Sequence, residues 1–316
     1  ALTILEQDGL IEYSVTRRPQ VANPPFEEIA QNLVVMGALE AVRPGSARYV
    51  GGCVRNTLMG RTVDDVDIAT QLQPEAVTAA LEAAGIKAVP TGIEHGTVTA
   101  VANGKPFEIT TLRRDVETDG RRAVVAFTED WAEDAARRDF RLNAIYAEPD
   151  GTLHDPTGGG IEDAGAGRVI FIGDADTRLR EDYLRILRFF RFNAWYGAGV
   201  DLDGLAACRR QREGLSQIAR ERVWKELKKL LSAPDPTDAV SAMAECKVLY
   251  LILPEVEGLD GLHDLRVSEM MCGVGADPML RLMALIPRTA QAVGMYRSPT
   301  STRSPGCLFQ NAPCSS

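Results

Sequence analysis

The chain has 316 residues, 45% of them apolar, with 44 acidic against 35 basic side chains and a formal net charge of −9. Its length suits two or more compact units, and its acidity argues against a cation-coated protein for bulk nucleic-acid binding. No run approaches the ~18 consecutive apolar residues of a membrane span, and the start is not a lysine-led apolar signal. The six scattered cysteines form no CxxC pair, which argues against a zinc site or a disulfide framework and for a reducing compartment.

Residues 1–25 are weakly patterned and read as a loosely held arm ending in Asn23-Pro24-Pro25. Apolar residues then recur at helical spacing over 26–42 (Ile29, Leu33, Val34, Met36, Leu39), predicting one amphipathic helix. Between 47 and 150, short β-rich runs alternate with helical ones. Strands are expected at 47–50, 63–68, 96–101, 107–112 and 124–127, and helices at 54–59, 74–84 and 131–137. After Gly158-Gly159-Gly160 the strand signal nearly vanishes. Helices are expected at 178–195, 202–211, 220–231, 236–244 and 278–285. The fold class is therefore α+β, a mixed sheet with helices followed by an all-α half, with the boundary near residue 165. From Tyr296 the chain turns Ser/Pro-rich and aperiodic, and disorder is expected.

Asp65 and Asp67 stand two apart on an expected strand, so both project from one face. Convergent carboxylates repel unless a cation sits between them, and Mg2+ binds through one or two carboxylates plus phosphate oxygens and water. An acidic surface turn would show the same DxD pattern. The preceding residues favour the phosphate reading. Gly51 and Gly52 let backbone approach a phosphate without Cβ obstruction, and Arg55 adds a charged fork for triphosphate oxygens. Glu108, alternating with Phe107 and Ile109, is the candidate third carboxylate. The alternative for Glu108 is a strand-edge glutamate paired to an arginine.

The motifs GGxVRNxLxGRxxxDxD (51–67), HGT (95–97), EITTLR (108–113), RRDFxxNA (137–144) and EDYLRILRFFRF (181–192) together resemble the class II tRNA nucleotidyltransferases. These are the CCA-adding enzymes, relatives of the bacterial poly(A) polymerases. The resemblance runs over roughly 46–231. It implies a polymerase-β-type nucleotidyltransferase head at 26–165, a helical neck at 166–235 and an RNA-binding helical body at 236–295. It also implies the cofactor Mg2+ on Asp65 and Asp67, with tRNA, CTP and ATP as partners and no membrane or DNA. Gly51, Gly52 and Arg55 would meet the triphosphate and sugar region, Arg138 the nucleotide, and Asp139 its ribose. The stretch 116–127 resembles the family's flexible loop, which favours full CCA addition. The expected compartment is the cytoplasm, with the mitochondrial matrix as the alternative.

Asp182 and Arg185 lie three apart on the expected helix and would be neighbours. A carboxylate accepts and a guanidinium donates, so the pair fits the pairing edges of cytosine and adenine. Guanine and uracil would set a carbonyl against the carboxylate. Such mismatches in a buried site discriminate strongly. Arg188 and Arg191 continue the face, toward phosphates or to orient the pair, while Leu184, Leu187 and Phe190 form an apolar flank expected to pack as core.

Two features depart from the family pattern. Asn56 stands where an aspartate usually follows the motif arginine, and it cannot charge-pair with that arginine. The segment from Tyr296 on looks foreign to the preceding helices, and the expectation is weakened tRNA binding with the chemistry intact. Rival readings are a poly(A) polymerase, a partial CC- or A-adding enzyme, and a catalytically weak RNA-binding protein.

Overall fold

The computed structural model describes residues 30–118 and 123–287, together with two short strands, β1 (Ile11–Glu12) and β2 (Gln20–Val21), which pair antiparallel. Most of the expected arm, the tip of the loop at 119–122 and the tail from 296 lie outside the described residues. The first helix is described as α1 (Ala30–Val42).

The head is built on β3 (Ala47–Val50), β4 (Asp67–Thr70), β5 (Lys87–Gly92), β6 (Thr97–Ala102) and β7 (Lys105–Thr111). A separate hairpin, β8 (Arg113–Thr118) with β9 (Ala123–Phe127), follows, and then β10 (Tyr146–Ala147) and β11 (Leu153–His154) complete the sheet. The seven strands run in the order β11-β10-β3-β4-β7-β6-β5, with β4 and β7 parallel and the other neighbours antiparallel. Strand alternation gives the sheet two unlike faces. Ile68, Val98, Ala100, Phe107 and Ile109 are buried beneath α1 and α3 (Pro74–Ala83). The opposite face carries a smaller core of Val50, Ala69, Leu112, Ala135 and Tyr146 beneath α4 (Trp131–Ala136), and on it stand Asp67 and Glu108.

Several elements differ from expectation. The strand expected at 63–68 begins only at Asp67, because its ladder with β3 starts at Val50↔Asp67. At Gly51 the partner chain turns away into α2 (Gly52–Leu58), leaving 61–66 nothing to pair with. β5 has no counterpart among the expected strands: it is a half-exposed edge strand containing Pro90, so it shows no apolar alternation.

After α5 (Gly160–Ala166) the chain is helical. The single helix expected at 178–195 is two, α6 (Ala175–Glu181) and α7 (Leu184–Tyr196), broken where Asp182 is extended at φ −150° and ψ 104°. Asp182 Oδ1 accepts the Leu184 N–H at 3.0 Å, so the side chain serves a helix start rather than a helix interior. Next come α8 (Leu202–Gln211), α9 (Arg220–Leu231), α10 (Thr237–Glu245), α11 (Val248–Ile252), α12 (Asp260–Cys272) and α13 (Pro278–Leu285). Leu184, Leu187 and Phe190 are buried, as their flank predicts. One apolar core runs from Val35 to Ile286 without a break at residue 165. Aromatic rings supply the join: Phe140 of the head lies 5.2 Å from Phe192 on α7, and Phe171 stacks on Phe189 at 5.3 Å.

Candidate active site

Gly51 occupies φ +72° and ψ −124°, a conformation that side chains other than hydrogen seldom adopt. A Cβ there would lie 3.7 Å from Arg138 Nη1 and 3.8 Å from Asp67 Oδ2. Gly51 thus brings bare backbone against the positive and the negative group at once. At Gly52 the same position faces Arg55 Nη2 at 3.7 Å.

Asp67 opens β4, and its register partner on β7 is Glu108, so the two carboxylates stand side by side on one face. Asp65 precedes the strand in an unpaired segment, yet the alternation carries through. Val66 and Ile68 are buried, whereas Asp65 and Glu108 are exposed and Asp67 is half-buried. Burial, then the Glu108 carboxylate, push the Asp67 carboxyl up to about 6 against the pull of Arg138, and Asp65 adds to the rise. None of the three forms a salt bridge among the described residues, and β7 is an interior strand, which removes the strand-edge alternative for Glu108. A crowded acidic face whose carboxylates form no salt bridge, with Arg138 close by, fits a divalent ion. Among the described residues no three His, Cys, Asp or Glu side chains close into a cage, so phosphate and water oxygens would have to complete any coordination.

The arginines are more heavily engaged than their spacing suggests. Arg55 is 5% exposed rather than an open fork. It donates from Nη1 to Asn143 Oδ1 (2.5 Å), from Nη2 to Tyr196 Oη (2.8 Å), and from Nε and Nη2 to Asn56 Oδ1 (3.2 and 2.8 Å). Its guanidinium also lies 3.9 Å from the Tyr196 ring centre. Asp139, expected at a ribose, is 7% exposed. It accepts from the Phe140 N–H, from Asn143, and from Arg188 Nε at 2.8 Å and Nη2, and although burial opposes it, Arg188 holds its carboxyl below the usual range. Arg138 turns one end toward the site. Its Nε and Nη2 bind Asp134, while Nη1 faces Gly51 and Asp67.

Asp134 was not legible as a site residue. It is 1% exposed and accepts from Arg137, Arg138, Tyr146 Oη (2.7 Å) and the Arg113 N–H (3.1 Å). Its signal was its position three and four residues before two arginines on a helix.

Asp182 and Arg185 do not pair with each other. The break before α7 turns Asp182 outward, where its Oδ2 meets Arg222 Nη2 of α9 at 3.2 Å. Arg185 reaches back to Glu181 (2.6 Å), to the Arg178 carbonyl (2.7 Å) and to the Arg137 carbonyl (3.2 Å). Arg178 grips the Arg137 and Arg138 carbonyls from the same side. Arg191 pairs with the buried Glu226 at 2.7 Å, so α7 is tied to α9 as well as to the head. The helix holds the RRDF segment in place through its arginines.

The family described as "Poly A polymerase head domain" matches residues 47–170, and "Probable RNA and SrmB- binding site of polymerase A" matches 200–259. The human mitochondrial CCA tRNA nucleotidyltransferase 1 is 38% identical over 283 residues, covering 87% of this chain and 63% of the relative. A CCA-adding enzyme of Streptococcus pyogenes is 40% identical over 225 residues, 70% of this chain and 54% of its own. The solved structure of the Bacillus stearothermophilus CCA-adding enzyme in complex with CTP superposes with a TM-score of 0.67 at 32% identity, covering 86% of this chain and 68% of that one. This chain spans about half to three-fifths of the curated relatives it matches. The head match, the superposition and the acidic sheet face agree: the chain belongs to the nucleotidyltransferase family of CCA-adding enzymes and poly(A) polymerases.

Proposed function

We propose that this chain adds CCA to the 3′ end of tRNA from CTP and ATP, without a template and with release of pyrophosphate. The observation that carries the reading is Asp67 flanked on one sheet face by Asp65 and Glu108, with Arg138 across Gly51. The names of the human and streptococcal relatives, and the CTP complex of the bacillar one, support the substrates.

In this reading the tRNA 3′-hydroxyl oxygen bonds to the α-phosphorus as the bond from that phosphorus to pyrophosphate breaks, and the hydroxyl proton passes to solvent water. Asp65 and Asp67 would hold Mg2+, which when bound would supply charge neutralisation for the attacking oxygen and the departing pyrophosphate. Glu108 deepens the negative field at that position. Arg138 Nη1 neutralises phosphate oxygens near Gly51 and Gly52, whose missing side chains leave room for them. Arg55 and Asp139 act from beneath, fixing the floor of the site through Tyr196, Asn143 and Arg188.

Base choice falls to Asp182 and Arg185, an acceptor and a donor at the start of α7. For Asp182 to meet a base, the base must displace Arg222 from its outer oxygen. The mitochondrial name of the human relative favours the mitochondrial matrix over the cytoplasm as the compartment. The description of the matching head family keeps a second reading, poly(A) polymerase, in view.

Incubation with tRNA lacking its 3′ end separates the two. CTP and ATP together should extend it by three nucleotides and stop, whereas a long tract from ATP alone would establish the polymerase. Partial enzymes would stop after CC, or add A only to tRNA already ending in CC. Asp67→Ala that retains activity would sink the mechanism in every form.

A further inference from the structure

Helix α2 ends in a glycine-terminated turn. Gly60, at φ +62°, donates to the Thr57 carbonyl, and the Arg61 N–H reaches back to the Asn56 carbonyl at 2.8 Å. That pair of bonds is the Schellman arrangement, which closes a helix and directs the chain onward. Here the chain leads through 61–64 to Asp65. The Asn56 side chain extends the closure by one residue, donating from Nδ2 to the Thr62 carbonyl at 2.9 Å. On its other side, Asn56 Oδ1 accepts from both Nε and Nη2 of buried Arg55. The chemistry sets the amide's orientation, because a flipped amide would place N–H donors against a guanidinium and oxygen against a carbonyl.

We infer that Asn56 is a positioning residue, whose amide fixes the loop that presents Asp65 to the carboxylate face. The loop is pinned at Thr62 by this amide and at Val66 by burial in the core, so Asp65 is carried between two anchors. An aspartate at 56 could keep both Arg55 bonds, but it has no donor for Thr62 and would set two acceptors against each other there. In this chain the amide accepts on one edge and donates on the other, and so joins the buried arginine to the loop. The inference rests on the reading of Asp65 and Asp67 as the cation-holding pair.

The test uses the full chain and three variants, Asn56→Asp, Asn56→Ala and Asp67→Ala, with Mn2+ binding followed by electron paramagnetic resonance and melting followed by circular dichroism. Loss of one hydrogen bond corresponds to about a fivefold weakening. Asn56→Asp should melt within about 3 °C of the parent, since Arg55 stays bonded, yet bind Mn2+ about fivefold more weakly. Asn56→Ala should lower both the melting temperature and Mn2+ affinity. If Asn56→Asp binds Mn2+ like the parent while Asp67→Ala does not, the amide does not position the loop and the inference is overturned, leaving the functional reading intact. Parent-like Mn2+ binding by Asp67→Ala would instead remove the cation site itself, and the inference with it.

Discussion

Asp134→Asn tests whether charge, rather than packing, holds the RRDF segment beneath the site. The substitution keeps the shape of the side chain and removes its charge. In the parent, burial works against ionisation, but Arg138 and Arg137 with the Tyr146 hydroxyl outweigh it and bring the carboxyl from 3.8 down to about 2. At about 1.4 kcal/mol per tenfold change, that fall corresponds to about 2 kcal/mol of stability at neutral pH. Removing one partner of a buried ion pair costs about 3–5 kcal/mol. Arg137 and Arg138 retain 18% and 19% exposure, and this solvent screening brings the expected loss below that range, to about 2–3 kcal/mol. The group is an acid with a depressed folded-state pKa. Its contribution is therefore complete above about pH 4 and fades as pH falls toward 2, with roughly half gone by pH 3. Urea unfolding of parent and variant, followed by tryptophan fluorescence from pH 7 to pH 3, should show a gap that narrows with acid. A gap of the same size at both ends would refute the electrostatic account and assign the loss to shape.

Three further substitutions probe other parts of the frame. Gly51→Ala should cost about 1–3 kcal/mol from backbone strain, because the φ of +72° is retained whatever the space around it. Its urea midpoint should drop, and a parent-like midpoint would mean the turn relaxes freely. Arg281→Met should be destabilising by about 3 kcal/mol, since buried Arg281 donates to the Leu231 and Ala233 carbonyls at the end of α9 and pairs with Glu269. A Glu269→Gln, Arg281→Met double-mutant cycle should give a coupling above about 1 kcal/mol, and additive losses would show that the pair does not act together.

Most of the head and the all-α second half follow from local pattern. The alternation in TVTAVA and FEITT, the turn glycines and the apolar helical faces are properties of neighbouring residues, so spacing alone reveals them. The same holds for the Asp65–Asp67 pair, whose shared face needs only the two-residue period of extended chain. What the sequence could not determine depends on partners distant along the chain, or on a local side-chain bond that competes with a helical pattern. The start of β4 at Asp67 is set by where β3 turns away at Gly51. The break at Asp182 is set by a side chain bonding back to the Leu184 N–H, which outcompetes a helical pattern that reads unbroken from 178 to 195.

The charged residues show the division most plainly. Spacing put Arg185 and Arg188 on one helical face, the glycine pair pointed Arg55 at phosphate and the family resemblance pointed Asp139 at a ribose, but none of this showed whom they face. Each is committed by tertiary contact: Arg55 to Tyr196 and Asn143, Asp139 to Arg188, Arg185 to the Arg137 carbonyl. A guanidinium has five donors in a rigid fork, and burial drives most of them to acceptors wherever the fold supplies one. Sequence therefore determined which chemistry is present, and the carboxylate face with it. Only packing decided which arginines are anchored beneath the site and which, like Arg138 at Nη1, remain turned toward it.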